Sequence, residues 1–108
     1  MSDSQALKGH LDALLLASLA AGPRHGYAVK EALREHSGGR FDLPTGTVYP
    51  ALHRLEQQGL ISAEWGQTET GREAKFYELT KTGRAALKTE TAQWERLSAA
   101  VGLVLRNA

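Results

Sequence analysis

The sequence contains no cysteine, which excludes disulfide bonds and thiolate metal sites. It also lacks any run of about 18 apolar residues, the length that a membrane-spanning helix requires. The first ten residues, MSDSQALKGH, are polar and do not contain the apolar segment of a signal peptide. We therefore expect a cytoplasmic protein that has no membrane partner.

The chain carries little excess charge, because 13 basic and 12 acidic residues leave a net charge of +1. A nucleic-acid partner would therefore require positive charge that is concentrated on one surface. Enzyme signatures are also lacking. The four histidines do not show metal-binding spacing, and there is no glycine-rich phosphate loop or serine–histidine–aspartate pattern. We predict that the protein is not an enzyme and needs no cofactor or metal.

The length of 108 residues suits one small domain, and its first 60 residues predict three helices. Apolar residues recur at helical spacing in each of them, and a glycine follows each one as a stop signal. The predicted helices cover residues 11–21, residues 25–37 and a segment that starts at Thr45 or Thr47 and ends before Gly59.

The hydrophobic pattern then changes to a period of two, which is typical of strands. The segments ISAEWGQ (61–67) and KFYELT (75–80) predict a β-hairpin with Gly71 in its turn. Thr80 is a suitable N-cap for a final helix over residues 81–106. This helix would be about 39 Å long, which exceeds what a small domain can cover.

Large apolar residues repeat along the final helix at heptad spacing. Leu87, Trp94 and Val101 are seven residues apart, and Leu97 and Val104 follow two of them by three residues. This a/d pattern predicts packing along another helix, although Glu90 interrupts it.

The order of the elements is that of a winged helix-turn-helix with an added dimerisation helix. We therefore predict a mainly α fold with a two-stranded β-hairpin. Residues 1–80 would form the DNA-binding domain, and residues 81–108 the dimerisation helix.

The third helix has two different faces when it is projected at 100° per residue. Its apolar side, which is expected to face the core, contains Val48, Ala51, Leu52 and Leu55. Its outer side contains Gly46, Thr47, Pro50, His53, Arg54 and Gln57. An outer face that is slim at its start and then offers donors and a cation suits the DNA major groove. Arg72 and Lys75 flank the hairpin turn and could contact phosphate.

Each of these residues also has an ordinary explanation. A threonine at a helix start is usually only a cap, and His53 alone is more often surface decoration. Arg72 lies beside Glu73, so the turn could simply be solvated. The combination is therefore stronger support than any single residue.

Several motifs together resemble the PadR-like transcriptional regulators, specifically the short type with one C-terminal helix. They are HGYAVKEAL (25–33), GTVYPALHRLEQQGLI (46–61), GREAKFYELTKTGRAAL (71–87) and QWERL (93–97). The resemblance implies a dimeric, DNA-binding repressor, and a two-fold dimer would read a palindromic operator. The order Pro44-Thr45 departs from the family pattern and leaves the helix cap open.

The resemblance also implies the residues that contact double-stranded DNA. They are Tyr27, Thr45, Thr47, Tyr49, His53, Arg54, Arg72 and Lys75. Tyr49 lies on the flank of the helix, where it could pack against Tyr27 and offer only its hydroxyl group.

Trp94 lies at the middle of the predicted dimer seam. Some members of the PadR-like family, which this sequence resembles, bind flat aromatic drugs between paired tryptophans at the dimer interface. The resemblance therefore implies a small planar hydrophobic effector. The alternative is that Trp94 only fills the interface together with Leu87, Leu97 and Val101. A second alternative for the whole chain is a ligand-binding or protein-interaction module that does not bind DNA.

Overall fold

The computed structural model describes residue 7 and residues 9–108. In chain order the elements are α1 (Leu11–Ser18), β1 (Arg24–His25), α2 (Gly26–His36), α3 (Thr45–Gln57), β2 (Ile61–Gln67), β3 (Glu73–Leu79) and α4 (Lys81–Arg106). The predicted winged helix-turn-helix with a long C-terminal helix is confirmed. Residues 1–6 and 8, which belong to the predicted DNA-binding segment and to the polar N-terminal stretch, lie outside the described residues.

The predicted β-hairpin is present as β2 and β3, and a third strand that the sequence did not predict extends it to an antiparallel sheet in the order β1-β3-β2. The additional strand pairs Arg24 with Tyr77 and His25 with Phe76. Two residues are too few to show a period of two, and the sequence placed His25 in the second helix. His25 instead caps that helix, since its Nδ1 accepts a hydrogen bond from the N–H of Ala28 at 3.2 Å.

Helix α1 ends at Ser18, three residues earlier than predicted. The Nε of Arg24 donates to the carbonyl oxygen of Ser18 at 2.9 Å. The N–H of Leu19 bonds to Leu16 at 3.1 Å, so the last turn tightens. The early end brings Arg24 back to the sheet, where it begins β1.

Helix α3 begins at Thr45, and its N-cap is Pro44 rather than either threonine. The carbonyl oxygen of Pro44 accepts hydrogen bonds from the N–H groups of Thr47 and Val48, at 2.9 and 3.1 Å. Pro50 is therefore the sixth residue of the helix, and it lacks the N–H that would bond to Gly46.

A Schellman motif ends α3 and directs the chain into β2. The N–H of Leu60 bonds to the carbonyl of Leu55 at 3.1 Å, and that of Gly59 bonds to Glu56 at 3.0 Å. Gly59 has a φ of 76°, which a side chain would oppose, so the predicted stop is confirmed.

One hydrophobic core joins α1, α2, α3 and the sheet. Its largest fully buried side chains are Leu15, Leu16, Leu19, Val29, Val48, Leu52, Leu55 and Ile61. The four residues predicted for the inner face of α3 are all buried. The core therefore fixes which side of α3 faces outward.

Helix α4 is attached to the end of α3 by its first turn. Thr80 accepts a hydrogen bond from the N–H of Gly83 at 3.0 Å, which confirms it as the N-cap, and its hydroxyl donates to Gly59 at 2.7 Å. A Cβ at Gly83 would lie 1.8 Å from the carbonyl oxygen of Leu60, so the contact requires glycine. In the described part of the chain, no helix is long and apolar enough to cross a membrane.

Candidate nucleic-acid interface

The outer face of α3 is open to solvent along its whole length. Its exposed residues are Thr45, Gly46, Thr47, Tyr49, Pro50, His53, Arg54 and Gln57. A Cβ added at Gly46 would meet no atom of the described residues within 4 Å, so none of them requires a glycine there. The helix therefore presents a slim leading end, which a DNA groove could accommodate.

Arg54 is not free on this face. Its Nη2 donates to a carboxylate oxygen of Asp12 on α1, and both side chains are about half exposed. An exposed pair of this kind is weak and screened by salt, so the guanidinium can exchange Asp12 for another anion.

Lys75 is held more firmly. Its Nζ lies 2.8 Å from Oε1 of Glu56 in the last turn of α3 and 5.6 Å from the centre of the Tyr77 ring. The hydrogen bond to Glu56 raises the pKa of Lys75, although partial desolvation opposes it. Burial raises the pKa of Tyr77, while the positive charge of Lys75 lowers it. The ammonium group is thus charged, paired and turned toward α3.

Arg72 is the cation of the hairpin turn. The turn is closed by Thr68, whose N–H bonds to the carbonyl of Arg72 at 2.8 Å and whose hydroxyl accepts from its N–H at 3.2 Å. The Arg72 side chain is exposed and makes no ion pair within the described residues. Of the three predicted DNA-contacting cations, Arg72 is therefore the one available without breaking an ion pair.

An open groove of about 940 Å³ separates the start of α2 from the hairpin. We call it the wing groove. It is lined by Tyr27, Tyr49, Arg72, Lys75 and Tyr77, among others. The structure thus brings four of the eight predicted DNA-binding residues together, whereas Thr45, Thr47, His53 and Arg54 lie on α3 outside the groove.

Tyr49 packs closely against the backbone at the start of α2. A Cβ added at Gly26 would lie 2.6 Å from Cε1 of the Tyr49 ring, so the ring rests directly on this glycine. The packing of Tyr49 on Tyr27 stays a prediction, and the structure shows in addition this contact with the glycine beside Tyr27. Both tyrosines remain exposed at the wing groove.

The second half of α4 carries an exposed apolar surface. Its large exposed residues are Trp94, Leu97, Val101, Leu103, Val104 and Leu105. Trp94 is 54% exposed, and the ring of His10 meets it edge-on with ring centres 5.1 Å apart. Leu87, which was also predicted for the dimer seam, is partly buried against the core of its own chain.

Comparison with known proteins identifies the family. Residues 15–89 match the transcriptional regulator PadR-like family. The chain belongs to this family. The PadR-like regulators are not enzymes, so the prediction that this chain has no catalytic role is confirmed.

Three relatives of the PadR-like chain span different parts of it. A PadR-like regulator from Bacillus cereus is 27% identical, with a TM-score of 0.82 over 94% of this chain and 96% of that one. A transcriptional regulator from Mycobacterium tuberculosis is 36% identical over 68% of this chain and 65% of that protein. Bacillus subtilis PadR, solved in complex with operator DNA, is 28% identical, with a TM-score of 0.66 over 74% of this chain and 45% of that one.

Three residues at or beside the candidate DNA interface were not predicted from the sequence as part of it. Asp12 and Glu56 bind two of the predicted DNA-contacting cations, and their partners are 42 and 19 residues away in the chain. Trp65 pairs directly with Lys75 across the hairpin and is 71% exposed. The alternating pattern predicted that Ile61, Ala63 and Trp65 share one face of the strand. It did not predict that Ile61 would be buried in the core while Trp65 is exposed.

Proposed function

We propose that this chain is a dimeric, DNA-binding repressor that reads a palindromic operator with helix α3. The outer face of α3 carries the proposal, because it is narrow at its start, exposed to solvent and flanked by the wing groove. DNA binding is also supported by the structural similarity to Bacillus subtilis PadR, which was solved in complex with operator DNA. Thr45, Thr47, His53 and Arg54 would meet DNA from α3. Tyr27, Tyr49 and Arg72 would meet the backbone beside the wing groove.

We assign the two proposed roles to two consecutive segments of the chain. Residues up to 80 would bind DNA, and residues 81–108 would hold two chains together. The support for a dimer is the exposed apolar surface of α4, since contiguous exposed apolar residues mark interaction sites. A two-fold dimer would place its recognition helices about 34–36 Å apart, one turn of DNA.

The test of DNA binding compares two exposed arginines. We expect Arg72→Ala to reduce the slope of log affinity against log salt by about 0.9, the loss of one phosphate contact. The control is Arg106→Ala at the far end of α4, which should leave the slope unchanged. Both slopes would be measured by fluorescence anisotropy of a labelled random-sequence duplex at salt concentrations from about 50 to about 200 mM. An unchanged slope for Arg72→Ala would contradict the proposed contact.

One observation favours a module without DNA binding: Arg54 and Lys75 are each paired with a carboxylate of their own chain. In that case the wild-type chain would show no salt-dependent binding to any duplex. The same anisotropy experiment therefore separates the two functions.

We also propose a small planar aromatic effector that releases the repressor from DNA. The support is the position of Trp94, which keeps about half of its surface open although His10 covers one edge. In a two-fold dimer two such indoles could hold a planar ring between them. The alternative is that Trp94 only fills the dimer core.

The effector is tested by titrating an acridine or bisbenzimide dye into the Trp65→Phe variant, in which Trp94 is the remaining tryptophan. We expect saturable quenching of tryptophan fluorescence and release of a bound duplex. The Trp94→Ala variant should not release the duplex at the same dye concentration. A panel of planar dyes that causes no quenching would favour the packed-core alternative.

A further inference from the structure

The ion pair between Lys75 and Glu56 joins the hairpin to the recognition helix. Glu56 lies in the last turn of α3, and Lys75 is the third residue of β3. The side chains of Lys75 and Glu56 are only 31% and 29% exposed, compared with 48% and 47% for Arg54 and Asp12. A partly buried pair is screened less by salt than an exposed one, so the first pair is the more persistent.

Lys75 is also constrained on its own strand. Its ammonium group lies over the ring of Tyr77, two residues further along the same face of β3. Tyr77 is packed against the hydrophobic core. The side chain of Lys75 is therefore fixed between the core-anchored part of the strand and the end of α3.

A phosphate contact by Lys75 would have a cost at this site. If Lys75 turned toward a phosphate, the half-buried carboxylate of Glu56 would lose the only partner that the described residues give it. It would also face the negative charge of the DNA. Leaving a partly desolvated carboxylate without its counter-charge is unfavourable.

We infer that Lys75 is a positioning residue, which sets the angle of the hairpin against α3 by binding Glu56 and does not itself contact phosphate. The inference rests on the proposed DNA-binding function and refines it. Trp65 lies directly opposite Lys75 in the register, and Arg72 lies in the adjoining turn. The angle set by Lys75 therefore determines where both residues meet a duplex.

The two roles of Lys75 predict opposite effects when Glu56 is neutralised. If Lys75 is a positioning residue, Glu56→Gln should weaken binding by about fivefold, and Lys75→Gln should do the same without changing the salt slope. The double variant should be no weaker than either single variant. If Lys75 contacts phosphate, Glu56→Gln should tighten binding, and Lys75→Gln should reduce the slope by about 0.9.

The binding measurements would use a duplex selected by the wild-type chain from a random library. Asp12→Asn is the matched control, because it neutralises the carboxylate of the exposed pair and gives the general effect of removing one negative charge. We expect Asp12→Asn to preserve or tighten binding. A similar gain in affinity for Glu56→Gln would overturn the positioning role.

A second readout does not require DNA. In the Trp94→Phe background, Trp65 is the remaining tryptophan and reports on the motion of the hairpin. We expect its fluorescence anisotropy to fall in Glu56→Gln and Lys75→Gln and to be retained in Lys75→Arg, which can still bind Glu56. Unchanged anisotropy in both glutamine variants would overturn the inference. Failure of the wild-type chain to bind any duplex would overturn the proposed function alone.

Discussion

The winged-helix body and the second half of α4 use the same kinds of apolar residue in opposite ways. On α3 the inner residues Val48, Leu52 and Leu55 are completely buried within their own chain. On α4 the residues from Trp94 onward expose about half or more of their large apolar side chains. The difference indicates that the body buries its apolar residues within its own chain, whereas the end of α4 leaves an apolar surface that the proposed dimer would cover.

The sharpest test of this comparison is to truncate a leucine in each region. Leu55→Ala should lower the free energy of unfolding by about 2–5 kcal/mol, because it leaves a cavity in a closed core. Leu105→Ala removes the same atoms from an exposed position beside the a/d seam, not within it, and should change this free energy by less than about 0.5 kcal/mol. Urea unfolding followed by circular dichroism would measure both. Equal losses would show that the end of α4 is as well packed as the body.

The junction between the two regions is tested by its glycines. Gly83→Ala should destabilise the chain by about 1–3 kcal/mol or more, because its Cβ would collide with the backbone oxygen of Leu60. Gly102→Ala is the control in the same helix, where the nearest atom belongs to the flexible side chain of Arg106.

We expect Gly102→Ala to be neutral or to stabilise the helix by up to about 1 kcal/mol. Thermal unfolding would measure both glycine variants. A harmless Gly83→Ala would contradict the close contact between α4 and the end of α3.

The exposed surface of α4 is tested by adding charge on either side of the helix. Leu97→Glu should weaken self-association by about 30-fold or more, because it places a carboxylate within the apolar seam. Ala99→Glu lies on the opposite side of the heptad and should leave association unchanged. Sedimentation velocity at several concentrations would measure the effect. A monomeric wild-type chain at micromolar concentration would contradict the proposed dimer.

The parts of the fold that could be predicted are those set by local pattern. The inner face of α3, the cap at Thr80 and the bounds of α4 follow from helical spacing and capping chemistry, and the structure has them as predicted. Strand β1 was missed because its two residues form a strand only by pairing with β3, which is about 50 residues away. The start of α3 at Thr45 is one of the two predicted positions, but its N-cap is Pro44 and not a threonine.

The candidate site was predictable in composition but not in electrostatics. The outer residues of α3 are exposed, as the helical projection required. The pairing of Arg54 with Asp12 and of Lys75 with Glu56 arises only when distant segments fold together. The sequence could therefore name the cations of the surface, but it could not show that Arg72 alone among the three predicted DNA-contacting cations is without an ion pair in the described chain.

The central claim is that two copies of α3 read a palindromic DNA site, and the most direct measurement is selection from a library of random duplexes by the wild-type chain. The account predicts enrichment of one sequence with two inverted half-sites whose centres are about 10–10.5 base pairs apart. Recovery of no enriched sequence, with equal affinity for every duplex, would contradict it.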